Sequence, residues 1–157
     1  MAFPLTVTQT VASTLPPAAL WRAFEAVEQW PTVIAALAVA RLEPPGPLAA
    51  GSRIVTRGLP GSNAADRDFR VLAAEAPHRL VLAVEDADFR ALTRYELVRH
   101  GGEETDIVAT ATLDAVGLAQ SLRFLAWRAR IAPVLAANTR ERAQALADLA
   151  ERLAGHG

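Results

Sequence analysis

Apolar and polar residues alternate from Leu5 to Ser13, with Leu5, Val7, Gln9 and Val11 on one side and Thr6, Thr8, Thr10 and Ala12 on the other. A period of two marks a strand with one buried face. The period then changes. Pro16-Pro17 suits the first turn of a helix, where a missing N–H costs nothing, and Leu20, Phe24 and Val27 follow at helical spacing with Trp21 beside them. This helix is expected to stop before Pro31, with a second short helix over Thr32 to Leu37. Strand-like segments come next: Val39 to Glu43, Gly51 to Arg57, Asp66 to Ala74, Leu80 to Asp86, Phe89 to Val98 and Thr105 to Leu113. Pro44-Pro45-Gly46-Pro47 cannot continue a sheet ladder, and Gly58 to Asn63 reads as a loop. The connectors Ala76-Pro77-His78, Glu85 to Asp88 and His100-Gly101-Gly102-Glu103 are short enough for antiparallel hairpins. From Gln120 to Ala154 the chain is rich in Ala, Leu, Arg and Glu and ends at Gly155, as a helix often does. Pro133 within it removes the bond to the carbonyl of Ala129, so a kink or a break is expected there.

This order of elements predicts an α+β fold in one domain spanning residues 1–157. A curved antiparallel sheet of six or seven strands wraps the long C-terminal helix, and two short helices follow the first strand. A lone helix about 10–12 Å across covers only two or three strands spaced about 4.8 Å apart. So wide a sheet must curl to stay covered, and curling leaves a gap between helix and sheet. The expected product is a pocket.

The pattern also nominates the pocket's lining. On the long helix, Phe124, Trp127, Ile131, Val134, Leu135, Leu146, Leu149 and Leu153 project onto one face, with Asn138 and Arg142 near its middle. Burying an amide and a guanidinium without partners costs several kcal/mol. They therefore meet partners on the sheet, reach out at the cavity mouth, or face a wet or ligand-filled space. In the strand from Phe89, the charged set Arg90, Arg94 and Glu96 must face water, which turns Thr93 and Tyr95 inward. Ile107, Ala109, Ala111 and Leu113 share the corresponding face of the next strand, and small residues there leave volume unfilled. Tyr95, the single tyrosine, brings a donor and acceptor to an apolar wall. It reads equally as a core tyrosine bonded to backbone and as a ligand contact or weak acid. Gln9 and Phe69 add to the candidate ligand-binding set of Tyr95, Asn138, Arg142, Thr93, Phe69, Gln9 and Trp127. Trp21 and Trp30 read as anchors of the short helices. Alternation does not decide which way Arg53 and Arg57 point; if inward, a carboxylate ligand is expected.

Composition removes several chemistries. The net charge is −1, which argues against nucleic acid or anionic membrane as a partner. There is no cysteine, and every basic residue is Arg, so thiolate, disulfide and Schiff-base chemistry are excluded. His78, His100 and His156 are scattered, which makes a metal site unexpected. Asp66, Asp68, Glu103, Glu104 and Asp106 read as solvated charge. No run has the length of a membrane span, and Met1-Ala2-Phe3-Pro4 lacks signal-peptide features, so a cytoplasmic protein without a cofactor is expected. A monomer or a homodimer fits equally.

Pro17-x-x-x-Trp21, Trp30-Pro31, Pro47-x-x-x-Gly51-Ser52-Arg53, Ala76-Pro77-His78-Arg79-Leu80, Tyr95-x-Leu97 and Glu104-Thr105, followed by the closing helix, occur in an order that resembles the START-like SRPBCC superfamily. Within it, the chain is most similar to the polyketide cyclase/dehydrase family. The resemblance implies a helix-grip fold around a hydrophobic cavity, with no shared catalytic residue to carry over. Members bind lipids, sterols, quinones, polyketides or plant hormones, and some catalyse cyclisation or dehydration. Three functions follow as expectations: binding of a hydrophobic or aromatic small molecule such as a lipid, quinone or polyketide; a polyketide cyclase/aromatase or dehydratase; and a lipid or quinone chaperone that docks on a protein partner.

Overall fold

The computed structural model describes residues 4–61 and 66–155. The expectations for Met1 to Phe3, for the Ser62-Asn63 end of the loop and for His156 fall outside them. The described chain runs β1 (Leu5–Ser13), α1 (Pro17–Glu25), a 3-10 helix (Val27–Thr32), β2 (Leu37–Glu43), β3 (Arg53–Gly58), β4 (Arg67–Glu75), β5 (Arg79–Glu85), β6 (Phe89–Arg99), β7 (Thr105–Ala115) and α2 (Leu118–Gly155). Seven strands form one sheet in the order β1-β7-β6-β5-β4-β3-β2, each neighbour antiparallel. The helix-grip architecture is present: a long C-terminal helix held against a sheet, with short helices after β1.

Two local expectations change. The short helix expected over Thr32 to Leu37 is instead a 3-10 helix over Val27–Thr32 that contains Pro31, and β2 already begins at Leu37. Proline has no N–H to give, and the backbone bonds around it run from Gln29 N–H to the Ala26 carbonyl and from Val33 and Ile34 N–H to the Trp30 carbonyl. At Pro133 the chain stays helical throughout, so of the expected kink or break, the break does not occur. The proline is exposed, and good helix formers flank it on both sides.

Burial follows the alternation. On β6, Tyr95 and Leu97 are buried between exposed or half-exposed Arg94, Glu96 and Val98. On β7, Ile107, Ala109 and Ala111 are buried, while Thr110 and Thr112 meet Thr8 and Thr6 of β1 on the outer face. The β6–β7 turn needs left-handed backbone at Gly101 and Gly102 (φ 73° and 52°), which glycine adopts without steric cost. The main core gathers Leu20, Phe24, Ile54, Leu80, Ile107 and Leu149. A smaller cluster joins Leu5, Ala115 and Phe124 under the first half of α2.

Register decides the orientation that alternation left open on β3. Residues directly opposite each other in an antiparallel pair share a face, and Ile54 faces Phe69 while Thr56 faces Arg67. Ile54 and Thr56 therefore point inward. Arg53 and Arg57 point outward and pair with Asp68, at 2.7 Å and 3.5 Å. The carboxylate ligand tied to those two arginines loses its basis. The same register brings Arg67 to the inner face.

Candidate functional site

A cavity of about 440 Å³ lies between the inner face of β3 to β6, the segment Trp30 to Leu37, and α2. Its depth is apolar: Trp30, Ile34, Leu37, Phe69, Leu82 and Leu146 line it. Trp30 also anchors, since its indole Nε1–H donates to the carbonyl of Ala23 at 2.9 Å. Trp21 is purely an anchor, buried edge-on against Phe24 with ring centroids 5.5 Å apart.

Polar groups enter this lining from three directions. From the sheet, Tyr95 is only 5% exposed, with its ring 5.4 Å from that of Phe24. Its hydroxyl has no hydrogen-bond partner among the described residues, yet it is not a sealed atom, so it opens on the cavity. Burial pushes the phenol above its ordinary 10.0, and the Arg142 guanidinium acts against that shift. The group is thus protonated at neutral pH and able to donate. Thr93, two residues away on the same face, and buried Thr56 add hydroxyls, the latter donating to the backbone carbonyl of Arg67 at 3.4 Å.

From α2 come Asn138, Glu141 and Arg142, all exposed. Asn138 and Arg142 stand one turn apart, as their spacing required, but at the cavity mouth instead of on a buried stripe. Among the described residues Arg142 makes no hydrogen bond and no ion pair. Arg67, at the start of β4, is the third source. Its Nη1 lies 3.1 Å from Asp86 Oδ2. Backbone N–H groups of Phe89 and Asp88, each 2.8 Å from Asp86 Oδ1, together with Arg67 hold that carboxyl below its usual range. Asp86 therefore stays ionised and tethers Arg67.

Of the residues nominated from the sequence, Tyr95, Thr93, Phe69, Asn138 and Arg142 lie together in this lining. Gln9 and Trp127 are not part of it. Gln9 is half-buried on the inner face of β1 opposite Ala109, near the far edge of the sheet. Trp127 is 52% exposed, with the Arg130 guanidinium 4.7 Å over its ring. Sequence reasoning missed Arg67, although a period of two along Arg67, Phe69 and Val71 puts all three on one face of their strand. It also missed Glu141 and the wall formed by Trp30 to Leu37.

Among the described residues no three His, Asp or Glu side chains gather into a possible metal site. His78 is exposed, and His100 lies 3.2 Å from Asp106 on the surface. No described helix is long and apolar enough to cross a membrane. A second, shallower depression on the sheet is lined by Arg53, Asp68, Arg70, Glu85, Arg90 and Asp114 among others. Arg53 and Asp68 pair with each other there at 2.7 Å, and one carboxylate oxygen of Asp114 is buried without a partner among the described residues.

No family model matches the chain, and no curated protein sequence matches it closely enough to count as a relative. Solved structures do match. Truncated norcoclaurine synthase from Thalictrum flavum aligns with a TM-score of 0.73 at 10% identity over 94% of each chain. A START superfamily protein from Mycobacterium smegmatis aligns with a TM-score of 0.71 at 12% identity, over 94% of this chain and 98% of that one. The di-domain ARO/CYC BexL of the BE-7585A biosynthetic pathway aligns at 0.66 and 19% identity, over 94% of this chain and 50% of BexL. The fold is the one these structures share, a START superfamily protein among them. At these identities the likeness extends to architecture alone.

Proposed function

We propose that the protein binds a hydrophobic or aromatic small molecule, of lipid, quinone or polyketide type, in the cavity between sheet and α2. The observation that carries this reading is a largely apolar cavity of about 440 Å³ whose sheet wall holds two hydroxyls without a partner among the described residues, those of Tyr95 and Thr93. Small-molecule pockets typically combine a mostly apolar lining of about 300–1,000 Å³ with a few orienting polar groups. Affinity then comes mainly from buried apolar area, and Tyr95, Thr93 and Asn138 orient the occupant.

Binding is favoured over cyclisation or dehydration by one feature. Among the described residues, no two lining side chains hydrogen-bond to each other. A catalytic pair acting as general acid and base normally comes within hydrogen-bond reach of its partner or of the proton it moves. In the cyclase/dehydratase reading, which the enzymes among the fold's relatives keep in view, Tyr95 is the acid that polarises a carbonyl. The near-zero net charge supports a small molecule over a nucleic acid as partner, and the reading places the protein in the cytoplasm.

Native mass spectrometry of the purified protein, with denaturing extraction of whatever co-purifies, tests the proposal. A retained apolar molecule is the expected result. Tyr95→Phe and Asn138→Leu should then weaken its binding more than they lower the melting temperature. Unchanged binding in both variants would remove these residues as contacts.

A further inference from the structure

The cavity has a chemically biased entrance. Its polar groups are largely donors: the protonated Tyr95 hydroxyl, the five N–H groups of Arg142, those of Arg67, and the Asn138 amide. Arg67 already has a partner in Asp86. Arg142 has none among the described residues, although Glu141 is its neighbour in the chain and shares the rim. An arginine left unpaired beside an apolar cavity is a ready partner for an acceptor group on whatever fills that cavity.

The depth of the site has the opposite character. Leu82, Phe69, Trp30 and Leu146 offer no group for a charge, and an ion buried there would lose its hydration without compensation. An occupant matched to both regions is amphipathic, with its apolar body inside and its polar end at α2. The size of the charge is bounded as well. The lining has two arginines against Glu141, and Asp86 neutralises Arg67 from beside it. These four charges sum to zero, so a dianionic phosphate would find too little positive field, while Arg142, whose guanidinium has no partner among the described residues, offers one fork for a single carboxylate.

Resting on the binding function proposed above, we infer that the ligand is a monocarboxylic acid with an apolar or aromatic body, its carboxylate held at the cavity mouth by Arg142 with Arg67 beside it. The sequence tied such a ligand to Arg53 and Arg57, which face the other way. Register and helix phase put two different arginines in their place.

Displacement of the neutral dye Nile red tests this with matched pairs: dodecanoate against dodecan-1-ol, and 2-naphthoate against 2-naphthalenemethanol. The native protein should favour each acid over its alcohol by about tenfold, the worth of one net charge-assisted hydrogen bond. Arg142→Gln should erase that preference and leave the alcohols unchanged, and Arg67→Gln should reduce it less. Arg70→Gln, on the outer face, should have no effect. Because Arg142 is exposed, its variant should melt with the native protein. Equal affinity for acid and alcohol in the native protein, or an undiminished preference in Arg142→Gln, would overturn the inference while leaving the apolar binding function standing. Failure of the protein to bind Nile red or any of the four compounds would overturn both.

Discussion

Of the two halves of α2, the first is the more apolar, with Phe124, Trp127, Ile131 and Val134 and no acidic residue, yet the second is the more buried. In the second half Thr139, Ala143, Ala145, Leu146, Ala147, Leu149 and Ala150 are buried. In the first, among the described residues, only Phe124 is, while Leu118, Leu122, Leu125, Trp127 and Val134 stay exposed, Leu118 at 78%. The difference lies in what faces each half. Alanines at 143, 147 and 150 let the second half approach α1 and the sheet closely, and Leu146 and Leu149 fill the space between. The first half meets Leu5, Ala115, Phe89 and Leu113 through a smaller cluster, with Phe124 buried and Ile131, Ala132 and Leu135 only partly so. The cavity mouth sits at the junction, where Asn138, Glu141 and Arg142 replace apolar residues. An apolar stripe shows what a helix is able to bury, and the partner surface decides what it does bury.

The strongest way to break this comparison is a matched pair of truncations. Leu149→Ala removes a side chain that is 1% exposed and should cost about 2–5 kcal/mol in denaturant unfolding. Leu122→Ala should stay within about 0.5 kcal/mol. Similar costs would show that the first half is also gripped. Next comes Pro133→Ala, which restores an N–H and removes a ring clash inside the helix. Here the gain is bounded by about 3 kcal/mol, and a higher melting temperature is the expected outcome. Thermal scans check it, and a loss of stability would mean that the proline shapes the junction between the halves.

The smallest effect sharpens the comparison from the sheet side. Burial raises the pKa of Tyr95 in the folded state, so its contribution is fully present below the ordinary value of 10.0 and is lost as pH rises through the folded value. With one tyrosine and no lysine in the chain, few other groups titrate in that window. Stability of the native protein should fall as pH climbs above 10, and Tyr95→Phe should flatten that fall. An unchanged slope would place the phenol in a solvated site.

Legibility from sequence followed a physical line. Strands β1, β6 and β7 were readable because each has one wet face, so the alternation was clean, and it turned Tyr95 and Thr93 inward. Arg53 and Arg57 were not readable: β3 has Ile54, Val55 and Thr56 all buried, which erases the period, and only pairing with β4 fixes the face. Trp127 and Gln9 lie on faces the pattern marked as inward, but nothing in a local pattern reports how far the cavity extends along a helix or across a sheet. Arg67 was hidden by its charge, which normally marks an outward position, whereas its tether to Asp86 depends on a turn formed elsewhere.

The strand order also carries a schedule. From β2 to β7 each strand pairs with the next one made, so that sheet can assemble by successive hairpins. β1 is different, because its partner is β7, and Leu5 waits for Leu113. Contacts so distant in the chain close late, and α2 emerges after every strand it covers. The walls of the cavity thus exist before its enclosure does. During synthesis the nascent chain passes through an interval in which Phe69, Leu82 and Tyr95 form an open trough, and the binding space comes into being only when α2 docks.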